Sequence, residues 1–172
     1  SIINQSVKAA LTDKRFNGAQ FAGITILLNK SGNRPFPCEV DNTGEGKWID
    51  ADDTKPVQVY HRNNGPAFSL DDQKQFGDNV IRKVITSMTM YVIGQRKMIK
   101  MPVEDLVTLI ANGIPEKLTP QQRTELKLES GSITFQSADV NAQSIFRREQ
   151  SNKALDPQVI MFELKYLIEC SY

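Results

Sequence analysis

A single histidine, His61, is all that this 172-residue chain offers to imidazole chemistry. A two-histidine metal set is excluded, and a Ser-His-Asp arrangement would rest entirely on that one ring between Tyr60 and Arg62. Cysteine is nearly as scarce. Cys38 and Cys170 lack paired ligand spacing, so nothing in the sequence supports a zinc site built from them and His61. In a reducing compartment they read as two free, largely buried thiols, and their spacing does not say whether they meet. Neither GxGxxG nor GxxxxGK followed by Ser or Thr occurs, and Gly44-Glu45-Gly46 and Gly94 make no substitute phosphate cradle. Asp50, Asp52 and Asp53, with Glu45, could attract a cation. Yet DADD lacks the glycine and the terminal glutamate of a helix-loop-helix calcium site, and it reads as a solvated loop. No cofactor and no metal are expected.

An excess of either charge is also missing. Lys and Arg number 21 against 20 Asp and Glu, a formal net charge of +1, so no global field draws the chain to nucleic acid or anionic membrane. No apolar run approaches the roughly 18 residues of a membrane span. The opening SIINQSVKAALTDK is amphipathic and too polar for a signal sequence, so the expectation is a chain made in the cytoplasm. At 40% hydrophobic and 24% charged, the composition supports one domain over 1–172 with a real core.

What the chain does have is β-periodicity, clearest at its end. VIMFELKYLIEC, Val159 to Cys170, alternates so that Ile160, Phe162, Leu164, Tyr166, Ile168 and Cys170 share one side. At roughly 3.3 Å per residue, these twelve positions span about 40 Å. The opposite side mixes Glu163, Lys165 and Glu169 with Val159, Met161 and Leu167. One face is core. The other calls for a partner or for a local loop lid, and Val159, Met161 and Leu167 are the candidate subunit interface.

Earlier segments follow the same logic. Ile3, Val7, Ala10 and Leu11 predict a helix over Ile3 to Phe16, stopped by Asn17-Gly18. Ile24 to Asn29 reads as a strand entering the turn Lys30-Ser31-Gly32-Asn33. Phe36, Cys38 and Val40 alternate before the turn Asn42 to Gly46, and Trp48 stands beside the acidic loop. Val57 and Val59 begin a strand that Asn63-Asn64-Gly65-Pro66 should break, leaving Phe68 to Phe76 as a loop or short helix capped by Ser69. The stretch 36–76 therefore reads as an inserted hairpin or loop excursion.

Val80 to Ile93 is rich in Val, Ile, Thr, Met and Tyr, and from Met88 to Ile93 both faces are largely apolar, the mark of an interior strand. After GQRKMIKM, Pro102 suits a helix's first position, and Val103, Leu106, Val107 and Ile110 carry the helical spacing to Gly113 and Pro115. Thr119, Pro120 and Gln122 form a capping box for a short helix. Ser130-Gly131 restarts extended chain. Ile133, Phe135, Val140, Ala142, Ser144 and Phe146 share a parity, and the polar stretch Glu149 to Pro157 leads to the closing strand. The order predicts an α+β domain: an antiparallel or mixed β-sheet with two main helices packed on one face.

The basic residues form two small groups, Arg96, Lys97 and Lys100 before the main helix, and Arg147-Arg148 further on. Two or three phosphate contacts per chain make a weak, salt-dependent site, although copies in a ring would add. Aromatic interleaving for stacking single strands is absent around them.

The succession of an N-terminal amphipathic helix, a strand pair, MTMYVIGQRKMIKMPVEDLVTLIANGI, SITFQSADVNAQSIFRRE and VIMFELKYLIEC resembles the tail-terminator or tail-completion proteins of tailed bacteriophages. The resemblance is architectural and covers about 130 residues, least closely from Cys38 to Phe76. It implies a non-enzymatic virion protein forming a ring, six-fold or twelve-fold, at the head–tail junction around the DNA channel. Portal, neck or tail proteins would be its neighbours. A ring or adaptor in the neck of a short-tailed phage is the related role. Arg96, Lys97, Arg147 and Arg148 would then sit at neighbour contacts, with at most weak phosphate contact. Two rivals stand beside this reading: a small cytosolic enzyme using His61 with the acidic loop, and a monomeric domain whose Trp48 loop holds a peptide or glycan.

Overall fold

The computed structural model describes residues 2–30, 34–76, 79–140 and 157–172, with backbone alone for 24, 26–30, 34–37, 48, 66–76 and 79–82. The fold is α+β. Seven strands form one mixed sheet: β1 (Gln20–Lys30), β2 (Arg34–Val40), β3 (Gly46–Trp48), β4 (Val57–Phe76), β5 (Asn79–Gln95), β6 (Ser130–Asp139) and β7 (Val159–Ser171). Their order across the sheet is β3-β2-β1-β4-β5-β7-β6. Four helices accompany them: α1 (Ile2–Ala10), α2 (Arg96–Ile99), α3 (Val103–Gly113) and α4 (Pro120–Glu125).

The interior strand predicted at Val80 to Ile93 is β5, bonded to β4 on one edge and to β7 on the other. Its register with β7 runs unbroken from Lys83↔Ser171 to Gln95↔Val159. Met88, Met90 and Val92 thus share a face with Tyr166, Leu164 and Phe162, while Tyr91 and Ile93 share the other with Glu163 and Met161. On the first face α1 and α3 close the main core. Val7, Leu106 and Ile110 are fully buried against Val59, Met90, Phe162 and Leu164. The helices approach closely because Gly113 has no side chain: a Cβ there would lie 2.6 Å from that of Ala10.

The second face is covered at one end from within the chain. Every strand pair is antiparallel except β1 with β4, and a parallel pair requires a crossover. Here the chain returns from β3 to β4 through residues 49–56. Ile49 and Ala51 of that crossover pack on Tyr60, Tyr91, Ile93, Val159 and Met161. Gln58 ties it down, donating to the Asp50 carbonyl at 3.0 Å and accepting from the Asp52 amide at 2.9 Å.

Several expectations are corrected. The first helix ends at Ala10 rather than Phe16, because the Asp13 side chain accepts from the Arg15 amide and starts a separate 3-10 turn, Lys14–Phe16. Asn63 to Pro66 bulges the strand without breaking it. Gly65 takes φ +109°, the Asn63 side chain accepts from its amide, and pairing resumes at Pro66↔Thr86. The predicted loop or helix at Phe68 to Phe76 is strand, since pairing with β5 outweighs the polar local sequence. The region 36–76 supplies most of β2, with β3 and β4, to the sheet. Pro102 is the residue before the main helix rather than its first member. Thr119 and Gln122 do form the capping box. Ala142, Ser144 and Phe146 lie outside the described residues.

Truncating the core should be costly on both faces. Phe162→Ala, Leu106→Ala and Ile110→Ala should each lose roughly 2–5 kcal/mol in denaturant unfolding. Met161→Ala should lose a similar amount, because its side chain is only 2% exposed under the crossover. A loss below about 1 kcal/mol at Met161 would show that the crossover does not seal that face.

Candidate functional site

Two polar clusters and one half-buried apolar pair stand out among the described residues. The first cluster lies under α1. His61 is 2% exposed, and both ring nitrogens are engaged: Nδ1 lies 2.7 Å from the Tyr166 hydroxyl and Nε2 lies 2.6 Å from Asn4 Oδ1. Asn4 donates its amide nitrogen to the Ala22 carbonyl at 2.7 Å, which leaves its oxygen facing the ring. Nε2 therefore carries the hydrogen, and Nδ1 accepts from Tyr166. Burial lowers the imidazole pKa to about 4 and raises that of the Tyr166 phenol, so both groups are neutral at pH 7. A ring in this state has neither a free nitrogen nor an open approach. It serves as a polar pin between α1, β4 and β7.

The acidic loop is remote from this ring. His61 and Gln58 are three residues apart on one strand and face opposite sides. The loop packs over Gln58, so the sheet itself separates the two halves of the proposed His61 enzyme. Within the loop, Asp52 accepts from the Thr54 amide and hydroxyl, and Asp50 accepts from the Ala51 amide. Hydrogen bonds from Thr54 hold the Asp52 carboxyl below its usual range. These bonds organise a turn, and no group of three or more His, Cys, Asp or Glu suited to a metal ion occurs among the described residues. Trp48 pairs with Cys38 through its backbone, and its indole lies outside what is described. Cys38 is buried and Cys170 half-buried, and neither forms a disulfide.

The second cluster crosses the sheet's other face. Glu163 is 4% exposed between Tyr91 and Asp139 in the strand register, with Lys165 Nζ 3.7 Å from its carboxylate. Burial raises its pKa, partly countered by Lys165. This charged band marks where the sealed part of the face ends.

Beyond the band the candidate interface residues divide. Val159 and Met161 are 6% and 2% exposed, covered by the crossover, which corrects the expectation that they await a partner. Leu167 is different. It is half-buried, as is Ile85 on the neighbouring strand, and neither belongs to the two core clusters. Ser87 and Thr134 flank Leu167 on the adjacent strands, and the Lys83–Glu169 ion pair borders the patch at 2.6 Å.

Two ribbons leave the sheet at this same end. β1 runs parallel to β4 only as far as Thr25↔Arg62, after which Ile26–Lys30 pairs with β2 alone. β4 and β5 continue past the last β7 pair, Lys83↔Ser171, to Phe76↔Asn79. Because β1 and β4 are parallel, both ribbons project in one direction: Ile26–Lys30 runs about 16 Å past the last β1–β4 pair, and the β4–β5 ribbon runs about 13 Å past the last β5–β7 pair. The sequence did not reveal this fork, since register alone decides where pairing partners end.

Of the four basic residues expected at neighbour contacts, two are described. Arg96 is exposed, but its amide donates to the Gln158 carbonyl at 2.8 Å and its Nε to the Pro157 carbonyl at 3.2 Å, pinning the entry to β7. Lys97 is exposed on α2. Arg147 and Arg148 lie outside the described residues. No described helix is long and apolar enough to cross a membrane. No protein-family model and no curated protein matches the chain.

The His61 pin predicts a pH dependence. Its pKa falls from 6.5 in the unfolded chain to about 4 in the folded one, so the unfolded state binds more protons between these values. Stability should be full above pH 6.5 and fall by about 3 kcal/mol as pH drops to 4. Glu163, raised by burial, contributes with the opposite sign near its own range. Comparing wild type with His61→Leu in urea from pH 7 to 5 isolates the histidine term. An equal slope in both proteins would refute the pin.

Proposed function

We propose that this chain is a non-enzymatic virion protein of a tailed bacteriophage, forming a ring at the head–tail junction around the DNA channel. It acts as a tail terminator, neck ring or portal-to-tail adaptor, with portal, neck or tail proteins as neighbours. The observation that carries this reading is the fork of two β-ribbons leaving one end of the sheet. A two-stranded ribbon is marginal in water without a layer against it. Ribbons that run about 13–16 Å past their last shared pairing favour contacts with other molecules over a pocket within one.

The engagement of both His61 nitrogens supports a non-enzymatic reading. A net charge of +1 suits a lumen through which duplex must slide, since a strongly basic channel would hold its cargo. Arg96 uses its Nε at the β7 entry, and its remaining guanidinium N–H groups suit the neighbour contact or weak phosphate contact of this reading.

Mass measurement of the purified protein in solution tests the reading. Closed multimers of six or twelve copies are the expected result, alone or on addition of the neighbouring neck protein. A monomer under both conditions would overturn it. Assembled rings titrated with duplex should bind weakly at low salt, with binding fading as salt rises to about 0.15 M. Nanomolar, sequence-selective binding that survives this salt would point instead to a dedicated DNA-binding protein.

A further inference from the structure

Two basic segments distant in sequence meet at one end of the sheet. The 3-10 turn Lys14–Phe16 leads into β1, whose Gln20 is in register with Gln58 and, through it, with Ile93 near the end of β5. α2 follows β5 directly, and the turn packs on it. Arg15 Nη1 donates to the Ile99 carbonyl, 84 positions away, at 3.2 Å. The ribbons leave from the Lys83 end, about 40 Å off along β5.

Five cations collect at this end: Lys14, Arg15, Arg96, Lys97 and Lys100, all exposed. Arg15 is held by Asp13 at 3.1 Å, and Arg96 by the Pro157 carbonyl. Lys14, Lys97 and Lys100 take part in none of the ion pairs among the described residues. Lys100 also ends α2 at φ +48°, in the left-handed region that favours glycine. A side chain is kept there against backbone strain, and it is a cation. The acids on adjoining elements are otherwise engaged or set apart. Asp13 binds Arg15, Asp52 of the crossover binds Thr54, and Glu104 and Asp105 stand in the first turn of α3, where the helix dipole favours them. Asp53 and Lys55 of the crossover offset one another in charge.

This patch has no apolar centre. Phe16 and Ile99 are 4% and 0% exposed, Met98 is half-buried, and the exposed neutral residues beside the cations are Thr12 and Asn17. A protein contact is built around apolar anchors. Cations accompanied by hydroxyl and amide side chains are instead the composition that meets a phosphate backbone. The 3-10 turn has three residues and α2 has four, too short to lie in a groove and read base edges.

We infer that this end of the subunit touches the phosphate backbone of duplex nucleic acid through Lys14, Lys97 and Lys100, without regard to sequence. The inference deepens the ring reading by naming the surface that meets the DNA. Three lysines make a weak contact in one copy, additive over copies that reach one duplex, and it loosens as salt rises. Such a contact guides a duplex and lets it slide.

Salt-dependent duplex binding by the full chain tests this. In a Lys14→Gln, Lys97→Gln, Lys100→Gln variant, the slope of log K against log salt should lose about 2.7 in steepness, about 0.9 for each lysine, and more where several copies touch one duplex. A Lys47→Gln, Lys117→Gln, Lys127→Gln variant removes the same charge from exposed sites elsewhere and should stay within about 0.5 of the wild-type slope. Lys14→Arg, Lys97→Arg and Lys100→Arg together should keep that slope. Equal slopes in the two glutamine variants overturn the inference, as does an absence of binding at about 0.02 M salt. Displacement of the duplex by polyglutamate of equal total charge, as readily as by a second duplex, also overturns it and assigns the patch to an acidic protein neighbour. Slope loss in a protein that stays monomeric, alone and with its neck neighbour, upholds the phosphate contact and removes the ring. Rings whose slope ignores the patch do the reverse.

Discussion

The structure depends on the pairing of β5 along both of its edges. Seventeen residues from Asn79 to Gln95 are bonded to β4 on one side and, from Lys83 onward, to β7 on the other. Because side chains alternate, this strand contributes to both faces at once. Met88, Met90 and Val92 enter the helix-covered core, and Tyr91 and Ile93 enter the smaller core under the crossover. A slip of one residue would exchange the two sets and expose both. The unbroken register with β7 is therefore the constraint that fixes which residues of the closing strand are core.

From that constraint the polar pin and the charged band also follow. His61 lies opposite Met90 and reaches Tyr166 because β4, β5 and β7 are in this register and no other. Asn4 then couples α1 to the sheet through one hydrogen bond to the ring and one to the Ala22 carbonyl. On the other face the same register sets Glu163 beside Tyr91 and Asp139, at the border between the sealed and unsealed halves. The buried carboxyl stands at that boundary with Lys165, half exposed to solvent, beside it.

The division of one sheet face into two halves underlies the functional reading. The crossover that joins β3 to β4 is obligatory for a parallel pair, and it is long enough to seal only the end carrying Val159 and Met161. Leu167 and Ile85 remain at the other end, where the two ribbons depart. A partly covered sheet beside projecting ribbons is the arrangement on which the proposed self-association rests. That is a property of arrangement, and no single residue carries it.

Much of the fold was legible in the sequence because local periodicity is a direct imprint of burial. The closing strand, the interior strand, the helix after Pro102 and the Thr119–Gln122 capping box all declare themselves by spacing and end residues. Asn63 to Pro66 misleads for the same reason. Its turn chemistry is genuine, but the bonding available from β5 absorbs it as a bulge. Two faces of one strand look alike in sequence whether a loop or a partner covers them, so Val159 and Met161 could not be told from Leu167 by pattern. Sequence by itself determined the α+β class, the core faces and the poverty of catalytic groups. Only the tertiary structure decided strand order, the pin on His61, the reach of the crossover and the ribbons' common direction, because each of these depends on pairings between residues distant along the chain.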